Sequence, residues 1–340
     1  MFNISKFSKD TTIYQHLPEL NAGNDPQLEL IKYRVGDIIP TQGFEFQEWP
    51  TTSVSRILLD IDISNLSIGE HRLILHISTM SELTSKQINI KISRILDVWQ
   101  EGFGNRNDFP HVNSGATWLS TGSTVWSNPY LAISDSLSHT IQSTDDMINV
   151  DISDLINYGI EHPEEWNGLA IIFADEDDVS SKYEIRFYGS DTQSIYEPSL
   201  ISYYADATSA GTFNPTMEFD PLNYDISVQN IKPRYQSGLD TVLFKVKCTK
   251  LVDTKTYNST LLSPAEYNIT AFFQIVDSVT GKVVVPFNEL GTKLQKTNMG
   301  YVIKFDTSNI IPNRYYTIQI RITYNGDNFI YDNNLNFLIQ

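Results

Sequence analysis

Residues 56–63 read RILLDIDI. Ile57, Leu59, Ile61 and Ile63 fall on alternate positions, so an extended chain carries them as one apolar row. The same period of two returns at 71–78, 86–95, 169–173, 183–188 and 200–204. Turn formers separate the runs, among them Asn21 to Pro26 (NAGNDP) and Ser67 to Glu70 (SIGE). One segment departs from the pattern. DISDLINY, Asp151 to Tyr158, sets Ile152, Leu155 and Ile156 on one helical face. Asp151 or Ser153 is its expected cap, and His162-Pro163 its stop. The pattern as a whole predicts an all-β protein.

Further along, residues 205–222 (ADATSAGTFNPTMEFDPL) are poor in large aliphatics and carry two prolines. Residues 206–222 are expected to form a linker. New strands are predicted after it at 224–228, 241–249, 267–276, 282–285, 301–305, 315–324 and 336–339. Ser278-Val279-Thr280-Gly281 and Asn325-Gly326-Asp327-Asn328 are hairpin turns between some of them. Strands at this spacing in about 120 residues suggest an immunoglobulin-like sandwich over 223–340.

The chain has 340 residues and 41% hydrophobic residues, enough for two packed cores. Only 19% are charged, so Asn, Ser, Thr and Gln must cover much of the surface. Residues 206–340 carry 12 basic and 12 acidic side chains, so the net −17 lies wholly in residues 1–205. Nucleic acid is not an expected partner, because phosphate contacts need a basic face. A membrane is not expected either, since no apolar run approaches the length of a span. The first residues, MFNISKFSKD, lack the apolar core of a signal peptide. The single cysteine, Cys248, sits in an alternating run and reads as a small strand residue.

Several segments of the first 205 residues resemble, in order, the DNRLRE-type domain. They are KDTTIYQHLPELNAGNDPQLEL (9–30), RILLDIDISNL (56–66), DVWQEGFGN (97–105), GATWLSTGSTVWSNP (115–129), VDISDLIN (150–157) and the strands of 167–204, with IRFYGSD and EPSLISYY clearest. The resemblance covers residues 1–205, roughly three fifths of the chain. The literal DNRLRE hexapeptide is absent, Leu119 to Thr124 stands as an insertion, and residues 31–50 are unusually apolar. The resemblance implies a jelly-roll β-sandwich of the kind found in microbial surface proteins and some phage virion proteins. It implies a role in display, adhesion or assembly. It brings no catalytic residues.

Few residues point to chemistry. Asp60 and Asp62 share a strand face, a pattern open to Ca²⁺ binding or a glycosidase pair, and equally to a solvated face. Asp175, Asp177 and Asp178, with Glu176, form the densest acidic run and are weak Ca²⁺ candidates at a loop tip; the glycine of an EF-hand is missing. Glu164 and Glu165 beside Trp166 are a weaker case. Trp99 and Trp118 lie in the resembling segments and are expected in the core. Trp126, followed by Ser127-Asn128-Pro129, is the candidate for exposure and for stacking on a sugar. Asp108, His111 and Asn113 share a loop with no nucleophile beside them. The six histidines show no metal spacing, and no cofactor is expected.

The expected function is therefore non-enzymatic. The preferred reading is a structural protein of a tailed-bacteriophage virion, a capsid, neck or tail accessory or decoration component. Its partners would be other virion proteins in multiple copies, and it would be assembled in the host cytoplasm. A carbohydrate-binding adhesin that recognises a host surface glycan is the alternative. A glycan-degrading enzyme is a third reading.

Overall fold

The structure is a computed structural model. It describes residues 2–34, 52–80, 87–107, 114–128, 131, 133–178, 182–192, 196–204, 219, 221, 224–250, 259–262, 267, 269–298, 300–324, 326–332 and 336–340. The chain forms two compact units, Ser5–Leu200 and Ile201–Gln340, the latter joined by Met1–Ile4. The expected first domain, 1–205, is thus corrected at both ends. Phe2 belongs to the second unit because its ring packs against Phe273 and Phe305, at centroid distances of 6.4 and 6.3 Å. Its carbonyl also accepts a hydrogen bond from Asn309 Nδ2. Of the expected linker, only Phe219 and Pro221 lie within the described residues. Phe219 is buried and stacks on Tyr224 of the second unit at 5.1 Å.

The first half of the chain holds β1 Phe2–Lys6, β2 Lys9–Tyr14, β3 Gln27–Arg34, β4 Thr52–Asp60, β5 Glu70–Met80, β6 Gln87–Ile95, β7 Ile133–Gln142, β8 Met147–Asp151, α1 Ser153–Glu161, β9 Leu169–Phe173, β10 Tyr183–Tyr188 and β11 Ser199–Tyr203. The division between units falls inside β1 and β11. Within Ser5–Leu200 one sheet runs β3–β10–β5–β8 and the other β4–β9–β6–β7, with β2 added to β4. That interleaving is the jelly-roll order. β4 makes the corner: Thr52–Val54 pair with β3, while Ser55–Asp60 pair with β2. The quoted alternation sets the register. Ile57 lies opposite Ile171, and Ile171 opposite Ile92. These join Leu30, Leu59, Leu75, Ile90, Ile185 and Phe187 in the main core. Each such side chain contributes roughly 1.5–3 kcal/mol by leaving water.

The helix starts later than expected. Ile152 occupies the cap position and no side chain caps the helix. Asp151 Oδ1 instead accepts from the Ser153 amide at 3.0 Å, and Ser153 Oγ accepts from the His71 amide at 2.9 Å. Both expected caps are committed to the β8–α1 corner. His162 ends the helix, and Pro163 opens a single 3₁₀ turn.

The second unit holds β12 Tyr224–Gln229, β13 Arg234–Tyr235, β14 Thr241–Lys250, β15 Ser259–Leu261, β16 Thr270–Asp277, β17 Val283–Val285, β18 Gln295–Thr297, β19 Gly300–Asp306, β20 Arg314–Tyr324, β21 Asp327–Asp332 and β22 Phe337–Ile339. Its sheets read β12–β14–β19–β18 and β13–β22–β20–β16–β17. β13 pairs parallel with β22, while β12 with β14, β14 with β19 and β16 with β20 pair antiparallel. This is the immunoglobulin-like sandwich. Tyr316, near the start of β20, donates its hydroxyl to the Ile311 carbonyl at 2.7 Å, which makes the tyrosine corner of that fold. Phe244, Phe273, Phe305 and Phe337 fill the core with edge-on, tilted and stacked contacts at 5.5–6.3 Å. Cys248, the one cysteine of the chain, is buried in β14. The short strands β13, β15 and β18 were not predicted. Strand β21, which closes the second hairpin, was not predicted either.

Candidate interaction surface

Two faces of the jelly roll carry more than ordinary strand chemistry. The first covers the outer side of the β2–β4–β9 sheet. Here Ile13, Val54, Leu58 and Ala170 point away from the main core and are still buried. An apolar outer face needs cover, and residues 96–104, 114–128 and 131 provide it. Trp99, Trp118 and Trp126 fill the space as a second core with Ile95, Ala116 and Leu131. The Trp99 indole N–H donates to the Asn167 carbonyl at 2.8 Å, and that of Trp126 to the Thr117 carbonyl at 3.0 Å. Trp126 is 5% exposed, so its expected role as an open stacking platform is corrected. The polar residues after it mark a turn, while the indole itself turns inward. Trp99 and Trp118 are buried as expected. Trp166 is half-buried, and its N–H donates to the Ile61 carbonyl at 3.0 Å.

These loops are fastened hard. Asn21 Nδ2 donates to the carbonyls of Glu101 (2.6 Å) and Ala116 (3.0 Å), while its Oδ1 accepts from the Gly104 amide at 2.9 Å. The backbones come so close that a Cβ on Gly23 would stand 2.1 Å from the Glu101 carbonyl oxygen. Rigid backbone nevertheless presents apolar side chains to water. Leu96 is 50% exposed, Val98 75%, Phe103 67%, Leu119 44% and Val125 77%. Their strands of loop are neighbours. Asp97 Oδ2 accepts from the Ser127 amide at 2.8 Å, the Gln100 amide reaches the Thr121 carbonyl at 2.9 Å, and Ser120 bridges to Val125. Val98 lies between the first two of these links, and Val125 is one end of the last. Each points outward next to a tryptophan that points in.

At the margin of this platform two carboxyls share a shielded place. Asp10 is buried, and its Oδ2 accepts from the Ser190 amide at 2.7 Å. Glu101 Oε1 accepts from the Asp10 amide at 2.7 Å. Burial pushes the Asp10 carboxyl up to about 6, with the charges of Asp191 and Glu197 adding to it. Burial likewise pushes Glu101 up to about 7, helped by Asp10 and Asp191. No motif joins these residues. They lie far apart in sequence and meet only through the fold.

The second face belongs to β3, β10 and β5. Glu29 is buried and is held by Arg106, by Arg186 at 3.0 Å and by the Tyr14 hydroxyl at 2.8 Å. Arg186 also meets Glu184 at 2.7 Å. His16 lies beside this network, where burial and the Arg106 charge push its imidazole down to about 4. Farther along, Tyr196 packs between His76 (5.0 Å) and Tyr188 (5.3 Å).

The acidic candidates resolve differently from their expectation. Asp175 faces the buried Lys32 ammonium, with Oδ2 at 3.4 Å, and its carbonyl accepts from the same group. Glu176 grips Arg56 at 2.6 and 3.0 Å, and the Arg56 guanidinium lies 4.5 Å over the Trp118 ring. The loop therefore neutralises two cations of the fold. Asp177 and Asp178 point to solvent. Among the described residues no group of three or more His, Cys, Asp or Glu is set to hold a metal ion. Asp60 pairs with Lys9 at 2.8 Å, and Asp62 lies past the strand end, where its Oδ1 accepts from the Ser64 amide at 2.9 Å. Glu165 accepts from the Tyr158 hydroxyl at 2.7 Å. Asp108, His111 and Asn113 lie outside the described residues. No helix among the described residues is long and apolar enough to cross a membrane.

No family model matches the chain, and no curated protein matches it. Among solved structures, two of the β-glucuronidase of Parabacteroides merdae are similar to it at 11% identity. One, with glycerol in its active site, gives a TM-score of 0.20, with 84% of this chain and 28% of that chain covered. The other gives 0.21, with 96% and 36% covered. The chain spans about a third of their length or less. Likeness at this level carries no argument about its chemistry.

Proposed function

We propose that this chain is a non-enzymatic structural protein of a tailed-bacteriophage particle, an accessory or decoration component that works through contacts with other virion proteins. The observation that carries the reading is the loop platform. Leu96, Val98, Phe103, Leu119 and Val125 stand exposed on backbone that Asn21 and three buried tryptophans hold fixed. Contiguous apolar surface on a soluble fold marks an interaction site, and a pre-ordered one binds without a large ordering cost. The ordered resemblance of residues 1–205 to a domain of surface and virion proteins supports the same role. Mass spectrometry of density-purified particles from a producing culture tests it. The chain should be present at a fixed ratio to the major capsid protein. A Val98→Asp/Val125→Asp variant should fold normally and be depleted from particles by at least about tenfold, the effect of ~1.4 kcal/mol for the two substitutions together. Absence from particles, or undiminished incorporation of the variant, refutes the reading.

The face of β3, β10 and β5 favours the adhesin as second reading. It combines tyrosine and histidine rings with an arginine–glutamate network, which suits a sugar's ring faces and hydroxyls. A glycan array would detect it, and Tyr188→Ala should abolish the signal.

A further inference from the structure

The two sheets of the jelly roll end on one flank in β7 and β8. Among the described residues no strand pairs with the outer edge of either. At this flank lies a cleft of about 400 Å³, lined by Ser136 and Leu137 of β7 and by Asp151 to Leu155 of the β8–α1 corner. Its floor is apolar. Ile152 is buried, and Leu137 and Leu155 pack against the main core while remaining partly open. Its rim is acidic, since Asp151 and Asp154 are exposed and no basic residue lines the cleft among the described residues.

An open strand edge is a hazard that folded proteins normally blunt with proline, lysine or short length. β7 is ten residues long, ISDSLSHTIQ, and has none of these protections. Its inner edge is fully used by β6, from Gln87↔Gln142 to Ile95↔Ile133. A long free edge beside an apolar cleft is the combination that strand addition uses. Main-chain hydrogen bonds supply affinity, and a side-chain pocket supplies selectivity.

We infer that β7 accepts an extended segment of a partner protein as an added strand, one that places an apolar side chain over Leu137, Ile152 and Leu155 and a lysine or arginine against Asp151 and Asp154. The charge choice follows from the rim. The start of α1 would by itself favour an anion. Asp151 already occupies that role, accepting from the Ser153 amide, so a second anion would meet two carboxylates. A second copy of this chain is disfavoured on the same ground, because pairing the flank with itself opposes like charges. The inference is separate from the loop platform, and its failure leaves that reading standing.

The test uses the full chain and a fluorescein-labelled synthetic peptide, TKVRVKVT, with TEVEVEVT as its acidic counterpart. Fluorescence anisotropy should show saturable binding of the basic peptide, and the acidic one should bind at least about tenfold more weakly, a difference of ~1.4 kcal/mol. Amide exchange should slow along Ser136 to Thr140 when the basic peptide is bound. Asp154→Asn, which removes no cap, should weaken binding several-fold with an unchanged melting profile. Leu137→Trp, which fills the cleft, should abolish it. Failure to bind, equal binding of both peptides, or binding without protection of β7 overturns the inference. So does self-association in sedimentation velocity that Leu137→Trp removes.

Discussion

Replacing Asp10 by asparagine should stabilise the jelly roll at neutral and alkaline pH and do nothing for it in mild acid. Asp10 is 1% exposed, and burial moves its carboxyl from an ordinary 3.8 to about 6. That displacement amounts to about 3 kcal/mol against the charged form. The sign follows from proton binding. Between the ordinary value and the folded one, the native state holds the proton and the unfolded chain does not. Stability therefore falls as pH rises through this interval and levels off above about 6–7, where Glu101 also has given up its proton. Asparagine keeps an oxygen for the Ser190 amide and removes the charge. Asp10→Asn should thus gain up to ~3 kcal/mol at about pH 8, less the strength lost from a charge-assisted bond, and nothing near pH 4. All five tryptophans precede residue 167, so urea unfolding followed by tryptophan fluorescence reports the first unit alone. Melts across this range for both proteins measure the difference directly. A native protein that grows more stable from about pH 4 to 7, or an Asp10→Asn change equal at both ends, would refute the reasoning.

Three further outcomes test the packing. Trp126→Ala should cost the first unit about 3–5 kcal/mol in the same urea assay, since it empties part of the second core and orphans the Thr117 carbonyl. Asn21→Ala should cost ~2–4 kcal/mol, because it leaves the Glu101 and Ala116 carbonyls and the Gly104 amide without their partner; exchange of the Gly104 amide should accelerate at least about tenfold. Tyr316→Phe should lower the melting temperature of the second unit alone, by the ~1 kcal/mol of one hydrogen bond to Ile311, and leave the tryptophan signal unmoved.

The strands were legible wherever one face meets the core and the other meets water. RILLDIDI is such a stretch, and Ile57, Leu59 and Ile61 stand in the core as its period requires. Legibility fails where both faces are covered. β9, LAIIF, is buried at every position, and its continuous apolar run was the available sign that something packs on the outer side of its sheet. Taken with Leu58 beside Leu59, it asks for a cover. Among the described residues, Trp99, Trp118 and Trp126 make it. Read that way, Trp126 goes inside despite its polar neighbours, because the demand comes from a sheet that local context does not mention. Short strands such as β13 and β18 show no period at all, since two or three residues cannot display one.

The candidate surfaces lie beyond sequence reading for a related reason. Asp10 and Glu101 are brought together by loop crossings that Gly23 and Asn21 make possible, and neither carboxyl is unusual where it stands in the chain. The same crossings decide what the platform can do. With Trp99 and Trp126 turned inward, Val98 and Val125 have only the outward direction left, so the exposed apolar patch is the counterpart of the second core. A mutation that loosened that core would let the valines turn in and would erase the patch. Incorporation into a particle and stability of the first unit should therefore fall together for tryptophan variants. They should separate for Val98→Asp/Val125→Asp, which changes the surface and leaves the layer beneath it intact.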